Sequence, residues 1–287
     1  MRKTAIIIVM LFLPVIAFGQ GVYSDTYVIP VVSHTPGAFG TVWRSDVAIT
    51  NFQSTPQTVQ IAVVESGEGN SDNVFALTSP SINGSVSIPG NSTLLLKDVL
   101  NGYRGSQNAA GALIVGAGAP FAITSRTYTS GPAGTVGETV TPARDFFENA
   151  TGRSDNTAVA YIPGIASNGQ SRTNIGFLAA TGSASGAPMG VQVTIKDGSG
   201  KVLGTKLILI PAANFTQTQF SVGSITSQTF DTGVAELRIV QGSGAVVPYA
   251  SVVDNVTGAA AYIAGQFPPS TALAKTFFTN ALLRAKQ

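Results

Sequence analysis

Trp43-Arg44-Ser45-Asp46-Val47-Ala48-Ile49-Thr50-Asn51-Phe52 forms the middle of a longer stretch, residues 27–52, and much of it returns later in altered form. The later copy reads Ser171-Arg172-Thr173-Asn174-Ile175-Gly176-Phe177-Leu178. An Ile-Pro step precedes each, Ile29-Pro30 in the first and Ile162-Pro163 in the second. Both read as opening strands of two successive copies of one β-domain.

Around this repeat the chain is a series of short alternating runs broken by Gly, Pro, Asn and Asp, the pattern of strands and turns. Val59, Ile61 and Val63 share one face with Thr58, Gln60 and Ala62 on the other, which predicts a half-buried strand. Residues 65–81 read as a polar loop, after which Val86 and Ile88 resume the alternation. Leu94-Leu95-Leu96 suits either a short helix or a buried strand, and residues 98–107 read as a loop holding Tyr103. Residues 112–115 and 121–129 predict two strands joined across Gly116 to Pro120. In the second copy Val191, Val193 and Ile195 alternate, and Asp197-Gly198-Ser199-Gly200 predicts a hairpin turn, because glycine tolerates the positive φ such turns need. Residues 201–210 return from that turn. Residues 235–240 then match 112–115, and 247–253 match 121–127. The ends also agree, Arg144-Asp145-Phe146-Phe147-Glu148-Asn149-Ala150 being echoed by Lys275-Thr276-Phe277-Phe278-Thr279-Asn280-Ala281.

The expected fold is all-β: two tandem Ig-like or fibronectin-like antiparallel β-sandwich domains with a short C-terminal helix. The boundaries are a signal peptide at 1–19, sandwiches at 20–142 and 159–268, a linker at 143–158 and the helix at 269–287. Leu273, Phe277, Ala281 and Leu282 recur at helical spacing there, to pack on the second sandwich or to dock a partner.

Arg2 and Lys3 followed by the apolar run to Val15 and the small-x-small Ala17-Phe18-Gly19 predict export with cleavage. Pro14 interrupts the run, which is too short to span roughly 30 Å of hydrocarbon. No stable membrane insertion after cleavage is expected, and the destination is secreted, cell-surface or periplasmic. Removing this segment leaves 14 Lys and Arg against 14 Asp and Glu, so the mature chain is formally neutral. With no basic run, it has no electrostatic grip on nucleic acid. Charged residues are 10% of the chain, so its solubility rests on Ser, Thr, Asn, Gln and exposed backbone. Zero cysteines excludes disulfides, thiolate metal sites and cysteine nucleophiles.

The phrases Ile29-Pro30-Val31-Val32-Ser33-His34-Thr35-Pro36-Gly37, Trp43-Arg44-Ser45-Asp46, Ser125-Arg126-Thr127-Tyr128 and Arg172-Thr173-Asn174-Ile175-Gly176-Phe177 resemble repeating β-sandwich modules of secreted bacterial proteins of unassigned function. The resemblance covers most of the mature chain and brings no catalytic residues with it. The second unit departs from the pattern: it lacks the Trp, has Asn174 in place of Asp46, and has Ala250-Ser251-Val252 where Arg126 is expected.

Reaction chemistry finds little purchase. His34 is the only histidine, it reads as a surface loop residue in a Thr-Pro-Gly turn, and no serine sits in a Gly-x-Ser-x-Gly elbow. Nitrogen and sulfur metal sites fail for want of ligands, while Glu65, Glu68 and Asp72 share one loop without EF-hand spacing. The glycines of 111–118 lack a Lys-Ser/Thr ending and read as strand and turn glycines. No metal or cofactor is expected, and no catalytic pair can be nominated among the 14 scattered acids. The candidate binding residues are Trp43, Arg44, Arg126 and Tyr128. Arg44 and Asp46 lie on one strand face, to hold a ligand or to pair with each other or with Arg126. Trp43, Tyr103 and Tyr128 are candidates for an aromatic platform under a sugar ring, with core packing the alternative for Trp43. The leading expectation is a non-catalytic extracellular protein serving adhesion, surface structure or ligand binding, with a protein or glycan partner. The rivals are a carbohydrate-active enzyme or accessory module, and a surface protein that self-associates through exposed sheet edges.

Overall fold

The computed structural model describes residues 24–266 apart from 38–40, 68–73, 80–81, 106–107, 132–133, 145–146, 150–158, 182–187 and 212–214. The expected signal peptide and C-terminal helix lie outside the described residues. What is described is all-β, with antiparallel sheets. No described helix is long and apolar enough to cross a membrane.

In the N-terminal half, β1 (Ser24–Pro36), β2 (Val42–Asn51), β3 (Gln57–Glu65), β4 (Val74–Ala76), β7 (Ser85–Ile88), β8 (Ser92–Leu96), β9 (Ala109–Gly131) and β10 (Gly134–Val140) form one sheet, ordered β4-β3-β9-β1-β2-β8 with β7 on β3 and β10 on β9. Two further short strands, β5 (Thr78–Ser79) and β6 (Ile82–Asn83), pair beside it; β4 and β5 lie within the stretch expected to be loop and β6 just after it. Leu94 to Leu96 are strand, paired with Val47 to Ile49.

The break expected across Gly116 to Pro120 is absent: β9 runs unbroken for 23 residues. Its first part pairs with β3 and β1, its last with β2 and β10. Glycine and proline here lie within the strand, beside a register shift against β1 between Ser24 and Thr26, and do not reverse the chain.

In the C-terminal half, β12 (Val159–Ser167), β14 (Met189–Asp197), β15 (Val202–Ile210) and β17 (Phe230–Gln241) form a sheet ordered β12-β17-β14-β15. A second sheet contains β11 (Phe147–Asn149), β13 (Ser171–Thr181), β16 (Phe215–Ser221), β18 (Gly244–Asp254) and β19 (Ala260–Ala264). The β14–β15 turn forms as the sequence predicts. Asp197 Oδ1 accepts from the N–H of Ser199 at 2.9 Å and of Lys201 at 3.0 Å, and Gly200 takes φ 86°.

The buried apolar residues sort into three clusters. One fills the N-terminal half around Ile29, Val47, Ile61, Leu113 and Phe121, and one the C-terminal half around Ile162, Phe177, Val193 and Leu237. The third joins the halves: Val28, Ala62, Val64, Ala112 and Ile114 with Leu178, Ala180, Phe215, Ala245 and Val247. Strand alternation explains the division. On β3, Val59, Ile61 and Val63 enter the first core while Ala62 and Val64 enter the junction, so the strand expected to be half-buried is covered on both faces over this length. Backbone contacts cross at the same place, Gly67 N–H donating to the Gln217 carbonyl at 3.1 Å.

Candidate functional site

The β2–β9 register sets Arg44 opposite Tyr128 and Asp46 opposite Arg126, which brings three of the four candidate residues onto one outward face. The Arg126 guanidinium lies over the Tyr128 ring, 5.0 Å from its centroid. The Tyr128 hydroxyl donates to Asp46 Oδ1 at 3.3 Å, and burial, then the Asp46 carboxylate, pushes that phenol up. Asp46 also accepts the N–H of Asp98 at 2.8 Å. Asp98, at φ 47°, turns its own carboxylate back, Oδ1 2.9 Å from His34 Nδ1 and Oδ2 3.4 Å from Arg44 Nε.

Two expectations are corrected here. His34 is no surface loop residue: it is 7% exposed, on β1, and held by Asp98. Arg44 pairs with Asp98 rather than with Asp46. The β1–β2 ladder and the reversal at Asp98 bring these groups together from 64 residues apart, beyond the reach of any local pattern.

Trp43 points the other way, because β2 alternates. It shares a face with Ser45, whose Oγ accepts from the Ser33 N–H at 2.9 Å and bonds Thr127 Oγ1 at 2.7 Å. Tyr103 is buried in the first core, 2% exposed, so the platform of Trp43, Tyr103 and Tyr128 does not form. Trp43 instead lines a cleft of about 240 Å³ between the halves, whose lining also includes Arg172 and Asn174.

The cleft's floor is a polar chain that sequence reasoning missed. Gln217 Nε2 donates to the Tyr249 hydroxyl at 2.9 Å, and that hydroxyl donates to Gln219 Oε1 at 3.3 Å. Tyr249 stacks on Tyr262 with ring centroids 5.8 Å apart, and burial pushes its phenol up. Glu138 of β10 closes one side. Its Oε2 accepts from Ser251 Oγ of β18 at 2.9 Å, and burial raises its carboxyl to about 7, against the opposing effect of that hydrogen bond. Asn174 pairs with Ser251 as Asp46 pairs with Arg126, so Ser251 holds the register position at which the sequence has a serine in place of the expected arginine. That substitution was legible; its contact with Glu138, 113 residues away, was not.

Among the described residues no group of three or more His, Cys, Asp or Glu is placed to hold a metal ion. Glu65 of the acidic loop pairs with Arg104 at 2.9 Å, while Glu68 and Asp72 lie outside the described residues.

These sheets and this cleft define an all-β protein with a shared inter-half pocket. No family model and no curated protein matches the chain. Among solved structures, it is similar to Bacteroides uniformis beta-glucuronidase 2 covalently bound to cyclophellitol-6-carboxylate aziridine, at TM-score 0.21 and 10% identity over 80% of this chain and 26% of that one. Similarity to the Bacteroides uniformis beta-glucuronidase crystal structure is comparable, at TM-score 0.21 and 9% identity, again over 80% and 26%. The chain thus spans about a quarter of the length of these structures. A likeness at that TM-score carries no argument.

Proposed function

We propose that this chain is an exported, non-catalytic protein of two tandem Ig-like β-sandwiches that acts by binding an extracellular protein or glycan. The observation that carries this reading is the junction cleft, to which both copies contribute the same strand: Trp43 from β2, Arg172 and Asn174 from β13. A duplication is supported by repeated detail. Ser45 takes the Ser33 N–H at 2.9 Å, and Thr173 takes the Ala166 N–H at 3.1 Å. Each Ile-Pro step is followed by a register shift, between Ile29 and Val32 in one copy and between Pro163 and Ile165 in the other. The charges best suited to chemistry, His34, Asp98 and Arg44, are engaged with one another.

Incubating the mature chain with extracellular matrix proteins, cell-surface fractions and glycans tests the reading. Saturable binding reduced by Trp43→Ala is the expected result. Turnover of a polysaccharide, peptide or ester that is abolished by Glu138→Gln or His34→Ala overturns it.

One observation favours each rival. Burial raises the Glu138 carboxyl to about 7, in the direction a glycosidase general acid needs, yet it is the only carboxylate among the described residues lining the cleft, and that chemistry uses a pair. Self-assembly is favoured by β15, an edge strand whose Val202, Leu207 and Leu209 are 53%, 52% and 56% exposed.

A further inference from the structure

The cleft between the halves has a lining whose chemistry narrows its ligand, and this step rests on the binding reading above. At about 240 Å³ it falls below the roughly 300–1,000 Å³ of pockets for drug-sized ligands, which suits a single ring and leaves no room for a dinucleotide. Its charged members are Glu138 and Arg172, and Arg172 already donates to Asn255 Oδ1 at 2.8 Å. An anion therefore finds one engaged guanidinium opposite a carboxyl group. A wholly apolar ligand is equally ill served, because it would cover Asn174, Gln217, Gln219 and Ser251 without replacing their hydrogen bonds with water.

What remains has one flat apolar face and a rim of hydroxyls. Trp43 supplies a half-buried indole, and a Cβ on Gly37 would come within 3.0 Å of its Cδ1, so glycine lets the β1–β2 connection lie against the ring. Gln217, 2% exposed, donates through Nε2 to the Tyr249 hydroxyl and so fixes the cleft's floor. Gln219 and Asn174 add amides that can donate and accept at once, the pattern that vicinal hydroxyls match.

We infer that the junction cleft binds one neutral pyranose ring, its C–H face on Trp43 and its hydroxyls on Gln219 and Asn174. The ring comes from a free sugar or from the end of a surface glycan.

Trp43 is the chain's single tryptophan, so its emission reports on the cleft alone. The mature protein is titrated with methyl glycosides of neutral hexoses and N-acetylhexosamines, and in parallel applied to immobilised glycans. A saturable change in Trp43 emission with at least one neutral glycoside is expected. By calorimetry, Gln219→Ala or Asn174→Ala should weaken it about tenfold with the thermal midpoint unchanged, while Trp43→Phe keeps part of the affinity. Response to free glycosides marks a soluble sugar as the source, and response only to immobilised glycans marks a chain end; both uphold the site. If neutral peptides alter the emission and no saccharide does, the sugar assignment falls and the binding reading stands. If neither does and no extracellular surface retains the protein, both fall.

Discussion

Glu138 and Ser251 meet across the junction of the two halves, Ser251 Oγ donating to Glu138 Oε2 at 2.9 Å. Burial raises the carboxyl from 4.5 to about 7, so between those values the folded chain keeps a proton that the unfolded chain has released. Stability contributed by this group is full below about pH 4.5, falls as pH rises towards 7, and is level above it. The loss is on the order of 3 kcal/mol at most. Glu138→Gln should flatten this slope in urea denaturation followed from acid to mildly alkaline pH. A variant whose slope matches the parent's would show that the carboxyl is ionised in the fold.

Asp98 holds His34 and Arg44 together. Asp98→Ala leaves the buried His34 Nδ1 without its partner and should cost about 1–3 kcal/mol. Arg44→Ala, at a half-exposed pair, should cost under about 1 kcal/mol. Equal losses in the two variants, measured by chemical denaturation, would contradict the geometry.

Gly176 lies under Tyr249, and a Cβ there would collide with the phenol ring. Gly176→Ala should push Tyr249 off Gln217 and cost about 1–3 kcal/mol by overpacking. Thermal melts and the Trp43 emission maximum read the two effects, and an unshifted maximum would mean the cleft does not depend on Tyr249.

Leu207 and Leu209 stand exposed on the edge strand β15. Replacing both with lysine should abolish any concentration-dependent association seen by light scattering while leaving the melting temperature within about 2 °C, since exposed sites carry little folding energy. Association that survives the change must use another surface.

Ala62 belongs to the junction cluster and is fully buried. Ala62→Asp places a carboxylate among apolar side chains from both halves, at a cost of roughly 3 kcal/mol or more. Calorimetry should show one transition in the parent and two in the variant, the halves then melting apart. A single transition in the variant would mean that the halves do not unfold as separable units.

The sequence by itself determined that the described chain is built of short strands and, in the strands it placed, which residues share a face, because alternation and turn residues act within a few positions. It placed the β14–β15 turn, the strand carrying Trp43, and the strand starting at Ser171. It misplaced His34 and broke β9 at Gly116 to Pro120, where glycine and proline sit inside a strand beside a register shift instead of in a turn. Only the tertiary structure decided what covers each face. Val64 and Ala62 are buried because Phe215 and Leu178 of the other half come over them. Trp43 and Arg172 come to line one cleft, and Asp98 reaches His34, through pairings of distant segments that no period in the chain encodes. Burial and hydrogen bonding reward such contacts wherever the fold brings them together, and the fold is set by the whole chain at once.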